Sequence, residues 1–200
     1  MRASPSTSGD THRRVGGYRS LLLWARGRTD RTASGETMVH AASGTLALPL
    51  AFAAATAVEI AVLHLLIPWL WVQVAVAVLS VWSLLQLFCL LAVERVHPHY
   101  VDAHTGSLIL RRSGHVVATI PRAAITGIRT VSRFSPTAPT LGDEHLYLPN
   151  QDGTNLDLTL GEPVDTRLES IVPSWRRAGR ATRISLYVDD PADLVEALRP

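Results

Sequence analysis

Glu59 is the residue whose type and position most demand chemistry. It is the only formally charged side chain between Thr45 and Val93, a block otherwise almost wholly apolar. About 20 apolar residues suffice to cross a bilayer as a helix, and Pro68 divides this block into two such runs, 45–67 and 69–93. An ionisable group inside hydrocarbon costs about 2.5–3.5 kcal/mol on insertion scales and normally faces protein or a water-filled path. On the second run, Gln73, Ser80, Ser83 and Gln86 fall near one helical face. The spacing predicts an intramembrane polar contact among Glu59, Gln73, Ser80, Ser83 and Gln86, inside one hairpin or in a seam between copies. Its chemistry is either hydrogen-bonded glue between helices or, in an oligomer that encloses a pathway, proton or ion transfer.

A second candidate is the run Trp175, Arg176, Arg177 and Arg180, followed by Arg183. Arginines beside an aromatic can contact anionic lipid headgroups, each cation near the surface contributing about 1 kcal/mol. Glu162, Asp165 and Glu169 precede the run and could neutralise it. A third is His97, His99, Asp102 and His104, side chains that suit zinc. Pro98 interrupts that cluster and no fourth ligand stands at motif spacing, so exposed polar residues at a membrane junction are expected and no metal. The single cysteine, Cys89, excludes an intramolecular disulfide and reads as a small residue facing lipid or a neighbouring helix. No serine elbow, phosphate-cradling glycine loop or HExxH motif is present. The expectation is a non-enzymatic protein without a cofactor. A formal net charge of +2 gives nucleic acid no footing.

These residues need elements to place them. Residues 1–44 read as a polar, partly disordered N-terminal region, with a short basic and aromatic segment at 18–28 and a polar connector after it. That segment fits either the headgroup layer or a short helix packed on the soluble part. Arg13-Arg14 invites a secretory reading, but the apolar core Leu21–Trp24 is too short and Arg26 and Arg28 interrupt it. Trp69 and Trp71 sit at the turn between the runs, as interfacial anchors do. Seven arginines precede the first run, more follow the second, and the tip has none. The arginine bias predicts a multi-pass protein of the inner (plasma) membrane with both termini cytoplasmic.

From residue 94 the apolar period becomes two. Leu156, Leu158 and Leu160 alternate with polar residues, as do Ile184, Leu186 and Val188. Weaker strands are expected at Tyr100–Ala103, Leu108–Arg112, Val116–Ile120, Ile128–Arg133 and Leu146–Leu148. Tight turns between them predict antiparallel hairpins. Two inserts, Ser135–Asp143 and Pro163–Arg180, interrupt the strands. Asp190 as N-cap and Pro191 at the first position open a C-terminal helix over 191–198.

Val101-Asp102, then Gly106–Arg111, Val116, Ile120-Pro121, Ala124-Ile125 and Ile128, resemble the opening of bacterial pleckstrin-homology (PH)-like domains. Leu156–Leu160 with Glu162-Pro163, then Tyr187–Pro191 with Leu194, Ala197 and Leu198, are similar to the ending of actinobacterial members. Such domains commonly follow one or two membrane helices. The resemblance implies an α+β membrane protein: a two-helix transmembrane hairpin at 45–93, then a PH-like antiparallel β-barrel or sandwich with a C-terminal helix at 94–200. Its first hairpin tip, Ala103–Ser107, lacks the basic cluster of phosphoinositide binders, so no inositol-phosphate site carries over. The implied function is a membrane-tethered interaction or assembly module on the cytoplasmic face. Its partners would be the bilayer, an unidentified membrane or cytoplasmic protein, and a second copy through the helices. The alternatives are a transporter or its accessory subunit built around Glu59, and a regulator that binds anionic headgroups.

Overall fold

The computed structural model describes residues 17–28, 37–41, 47–170, 174 and 176–198. Two apolar helices dominate it, α2 (Ala47–Leu66) and α3 (Leu70–Val96). Both are long and apolar enough to cross a membrane, and only 6% of each apolar window is buried inside the protein. They touch along a narrow stripe, which on α2 is Ala53, Thr56, Ile60 and Leu63. α3 outlasts the expected end at Val93 by one turn, carrying Glu94 and Arg95 into the helix.

The preceding basic segment is a helix, α1 (Gly17–Ala25). Its partner is α3, not the soluble part. Trp24 stacks on Phe88 with ring centroids 6.3 Å apart, and the Tyr18 hydroxyl accepts from Gln86 Nε2 at 2.7 Å. Gly17 lies against Cys89, where an added Cβ would come within 3.3 Å of the cysteine Cβ. Cys89 is buried by that contact.

The remaining elements are β1 (Thr37–Val39), β2 (His99–Val101), β3 (Leu108–Arg112), β4 (His115–Ile120), β5 (Ile125–Arg133), β6 (Thr140–Gly142), β7 (His145–Leu148), β8 (Thr154–Leu168), β9 (Arg177–Leu186) and α4 (Pro191–Ala197). They form one mixed sheet of order β1-β2-β3-β4-β8-β9-β7-β6, with β5 also paired to β8. Alternate residues point to a common core. Leu108, Leu110 and Ile120 meet Leu146, Leu156, Leu158, Ile184 and Leu186, and Leu194 and Leu198 of the C-terminal helix close over them. The Asp190 carboxylate accepts from the Ala192 and Asp193 amides, capping α4 as its sequence requires.

Four expectations are corrected. The sheet is not wholly antiparallel: β7 runs parallel to β9, because the long β8 carries the chain back before β9 begins. The connector at 29–44 contains β1, a three-residue strand that exists through its pairing with β2. Most of the insert 163–180 is strand. β8 runs through Pro163 by bulging away from β9: Thr159 pairs with Arg183 and Val164 with Ala181, while Leu160 stays paired with Ile125 of β5. Proline, lacking an amide proton, is tolerated at such a bulge. Insert 135–143 likewise contributes β6.

Candidate functional site

One set of specific contacts lies where α3 meets the sheet. Glu94, in the last turn of α3, accepts from both the Ser113 amide (3.2 Å) and the Ser113 hydroxyl (2.9 Å). Ser113 sits in the β3–β4 turn with φ 49°, and Gly114 follows at φ 77°. This strained tight turn presents its donors to the helix. From the next residue of the same helical turn, the Arg95 guanidinium lies 6.0 Å from the Trp24 ring centre. α3 is thus gripped from two directions as it leaves the apolar region.

Of the cluster expected to be exposed, His97 and His99 are buried, whereas His104 is exposed. His97, Pro98, His99 and Tyr100 form a continuous enclosed segment. Pro98 does not merely set an angle; it lets the chain pass from helix to strand without stranding an amide proton. His99 Nδ1 accepts the Arg111 amide at 3.0 Å, which places its proton on Nε2. Burial first, and the Arg112 charge second, push the His99 pKa down to about 4. Arg111 reaches over the Tyr100 ring, 4.7 Å from its centre. Asp102 instead accepts the His104 amide, and this hydrogen bond holds its carboxyl below the ordinary range. Among the described residues, no three His, Cys, Asp or Glu side chains converge as a metal site.

The arginine run belongs to the β8–β9 hairpin. Ala118 of β4 pairs with Thr166, and Leu168 pairs with Arg177. Counting back along the antiparallel register brings Leu168, and with it Arg177, level with Val116, two residues from the turn that Glu94 holds. The hairpin tip therefore points to the same end of the sheet as α3. Much of its charge is answered locally. Glu169 lies 2.5 Å from Arg167 and 3.7 Å from Arg176, and Asp165 lies 3.9 Å from Arg180. Arg177 donates to the Ser174 and Arg176 carbonyls. Trp175 lies outside the described residues.

The polar residues of the two apolar helices, expected to meet inside a membrane, do not gather around Glu59. Gln73 Nε2 donates to the His64 and Ile67 carbonyls, closing the end of α2 across the Pro68 turn. Ser83 donates to Leu79 in its own helix. Gln86 holds Tyr18, and Ser80 is half-buried on α3. Glu59 is exposed on the flank of α2, off the stripe that meets α3. A small apolar cleft near the tip, lined by Ile60, Leu63, His64 and Gln73 among others, has about 150 Å³ of free volume. Ligand pockets commonly need about 300 Å³ or more.

One constellation has no counterpart in the sequence reading. On the polar face of the sheet, Arg133 makes a two-pronged ion pair with Asp157, one prong 2.6 Å long. The Ser185 hydroxyl donates to Asp157 at 2.6 Å and meets His145 Nε2 at 2.8 Å. A carboxylate only accepts, so the serine proton goes to Asp157 and His145 must donate to the serine. This is the reverse of a nucleophile activated by a base. Ser185 is also wholly buried. Burial opposes the Asp157 charge, but the Arg133 and Ser185 hydrogen bonds outweigh it and keep the carboxyl below its ordinary range. Burial, then Arg183, lowers the His145 pKa. What the network does is tie β5, β7, β8 and β9 together. The period-two pattern placed Asp157 on the polar face, yet only the register, with Ser185 opposite Asp157 and Tyr147 opposite Ser185, assembles the set.

No family model, curated protein or solved structure matches this chain.

Proposed function

We propose that the chain is a membrane-tethered, non-enzymatic interaction module whose sheet is held fixed against the bilayer surface. The observation that carries this reading is the double grip on the last turn of α3, by Ser113 on Glu94 and by Trp24 on Arg95. A mere anchor needs only a flexible linker, whereas here the passage from helix to strand is buried throughout. Topology supports the same reading. β1 precedes the hairpin, β2 follows it, and the two pair. With both helices spanning, the two flanks lie on one side, and the arginine bias favours the cytoplasm of a plasma-membrane protein.

PH-like character belongs to this proposal. In its favour are the β2-β3-β4 hairpins and a terminal helix packed on the core. Beyond β4 the strand order departs from a simple meander, because β8 lies between β4 and β9. The test is cross-linking in native membranes followed by identification of captured proteins. A partner lost on Glu94→Ala but retained in a variant altered only at an exposed site, such as Thr137→Ala, supports a fixed module. Capture indifferent to Glu94→Ala sinks it.

A second reading, contact with anionic headgroups, is favoured by the register that brings Arg177 near the α3 grip. The full chain in nanodiscs tests it. Amide protection at 176–180 that rises in anionic over zwitterionic lipid supports the contact, and equal exchange removes it. The transporter reading finds less support, since Gln73, Ser83 and Gln86 are each engaged away from Glu59.

A further inference from the structure

α2 carries two parallel seams. Ala53, Thr56, Ile60 and Leu63, with Ile67 just beyond, recur at alternating steps of three and four and form the half-buried face against α3. Phe52, Ala55, Glu59, Val62 and Leu66 recur with the same spacing beside it, and all five are exposed. This is the spacing of a left-handed helix pair, in which each seam residue inserts among residues of the facing helix. α3 fills the first seam. The second is bare, and Glu59 stands at its centre.

The other engaged polar groups of the hairpin show why this matters. Gln73, Ser83 and Gln86 each bond within the chain. Among the described residues, Glu59 has no hydrogen-bond or ion-pair partner. α1 and the Ser113 clamp both engage α3 and leave this face of α2 open. No described residue of the chain supplies the complement to Glu59.

We propose that the open seam is covered by α2 of a second copy, in a parallel two-fold pair with the two Glu59 side chains facing each other. The inference rests on the membrane reading above. A two-fold axis along the seam sets each of its residues opposite itself. A carboxylic acid is self-complementary, because one O–H donor and one carbonyl acceptor on each side satisfy both groups. A purely apolar partner would leave Glu59 unanswered in hydrocarbon. Ala55, one turn earlier, removes bulk beside the carboxyl and lets the helix axes approach. A lone polar residue in an apolar seam is also the device that fixes register and strand number in paired helices.

The test uses the full chain in native membranes, in a Cys89→Ser background. Ala55→Cys lies on the seam and Ala54→Cys beside it. Mild oxidation should yield disulfide-linked dimer from Ala55→Cys at least about fivefold more than from Ala54→Cys, since a disulfide needs Cα atoms within about 7 Å. Glu59→Gln keeps a donor and an acceptor and should preserve the cross-link. Glu59→Ala should weaken self-association roughly three- to tenfold. Equal cross-linking at residues 54 and 55, or no loss with Glu59→Ala, overturns the pairing. Linkage of Ala55→Cys only to a different protein overturns it equally. Release of the chain by alkaline carbonate overturns the membrane reading itself, whereas retention with equal cross-linking overturns the pairing alone.

Discussion

α2 and α3 are alike in composition and opposite in circumstance. Each is long and apolar enough to cross a bilayer. α3 is met by α2, by α1 and by the β3–β4 turn, and Gln73, Ser83, Gln86 and Glu94 all find partners inside the chain. α2 is met by α3 along one stripe, and among the described residues its one carboxylate finds no partner. An apolar helix tolerates a polar residue where a contact repays its desolvation. On α3 those contacts build the protein, so on α2 the remaining one points outward.

The contrast can be broken most severely from the sheet to which α3 is tied. Gly153 adopts φ +92°, and a Cβ there would fall 1.9 Å from the Arg133 carbonyl oxygen. Gly153→Ala should cost more than about 3 kcal/mol, combining backbone strain with a clash. Thermal unfolding in detergent micelles reads this, and a loss under 1 kcal/mol would mean that β5 and the β7–β8 turn separate easily.

Next in size is pH. His99 is buried neutral with its pKa lowered to about 4, against about 6.5 for an exposed histidine. The unfolded chain therefore binds a proton that the folded chain refuses. Stability is fully present above pH 6.5 and is lost as pH falls toward 4, by about 2 kcal/mol at pH 5. Melting at pH 7.5 and pH 5 should show this loss, and His99→Asn should flatten it. An unchanged slope in that variant assigns the effect elsewhere.

Smaller still is the α1 contact. Tyr18→Phe and Gln86→Leu should show a coupling of about 1 kcal/mol in a double-mutant cycle. Additive effects would mean that the 2.7 Å contact does not hold α1 to α3. The smallest effect belongs to α2. Glu59→Gln should shift monomer stability in micelles by less than about 0.5 kcal/mol, the usual size for an exposed site. A loss above 1 kcal/mol would reveal an internal partner and erase the contrast between the helices.

How legible all this is in the sequence depends on where the information resides. The two long helices and the α4 cap are written locally, in length, hydropathy and one Asp-Pro pair, and they are found where expected. β3 too has its expected bounds, since its alternation is set by Leu108 and Leu110 alone. β1 is three residues in a polar connector and owes its form to β2. The distal half of the β8–β9 hairpin, beyond the bulge, contains Pro163, Gly179 and several arginines, a composition that reads as loop. Pairing with β4 and Thr166 packing inward make it strand. The burial of His97 and His99 follows from three elements converging on them, which no spacing along the chain encodes. The Asp157 network is likewise a product of register between β5, β7, β8 and β9.

The pairing of β1 with β2 also bears on how the chain is made. Thr37–Val39 leaves the ribosome first, and His99–Val101 follows only after both apolar helices have been synthesised. At about 5–20 residues per second, this first strand waits several seconds for its neighbour. On the membrane reading proposed above, it can join the sheet only when the hairpin has returned the chain to the side from which it started. A chain that inserted only one of the two helices would leave the two strands on opposite sides of the bilayer. With both helices spanning, pairing of this short edge strand would thus be open only to a chain whose two flanks end on the same side.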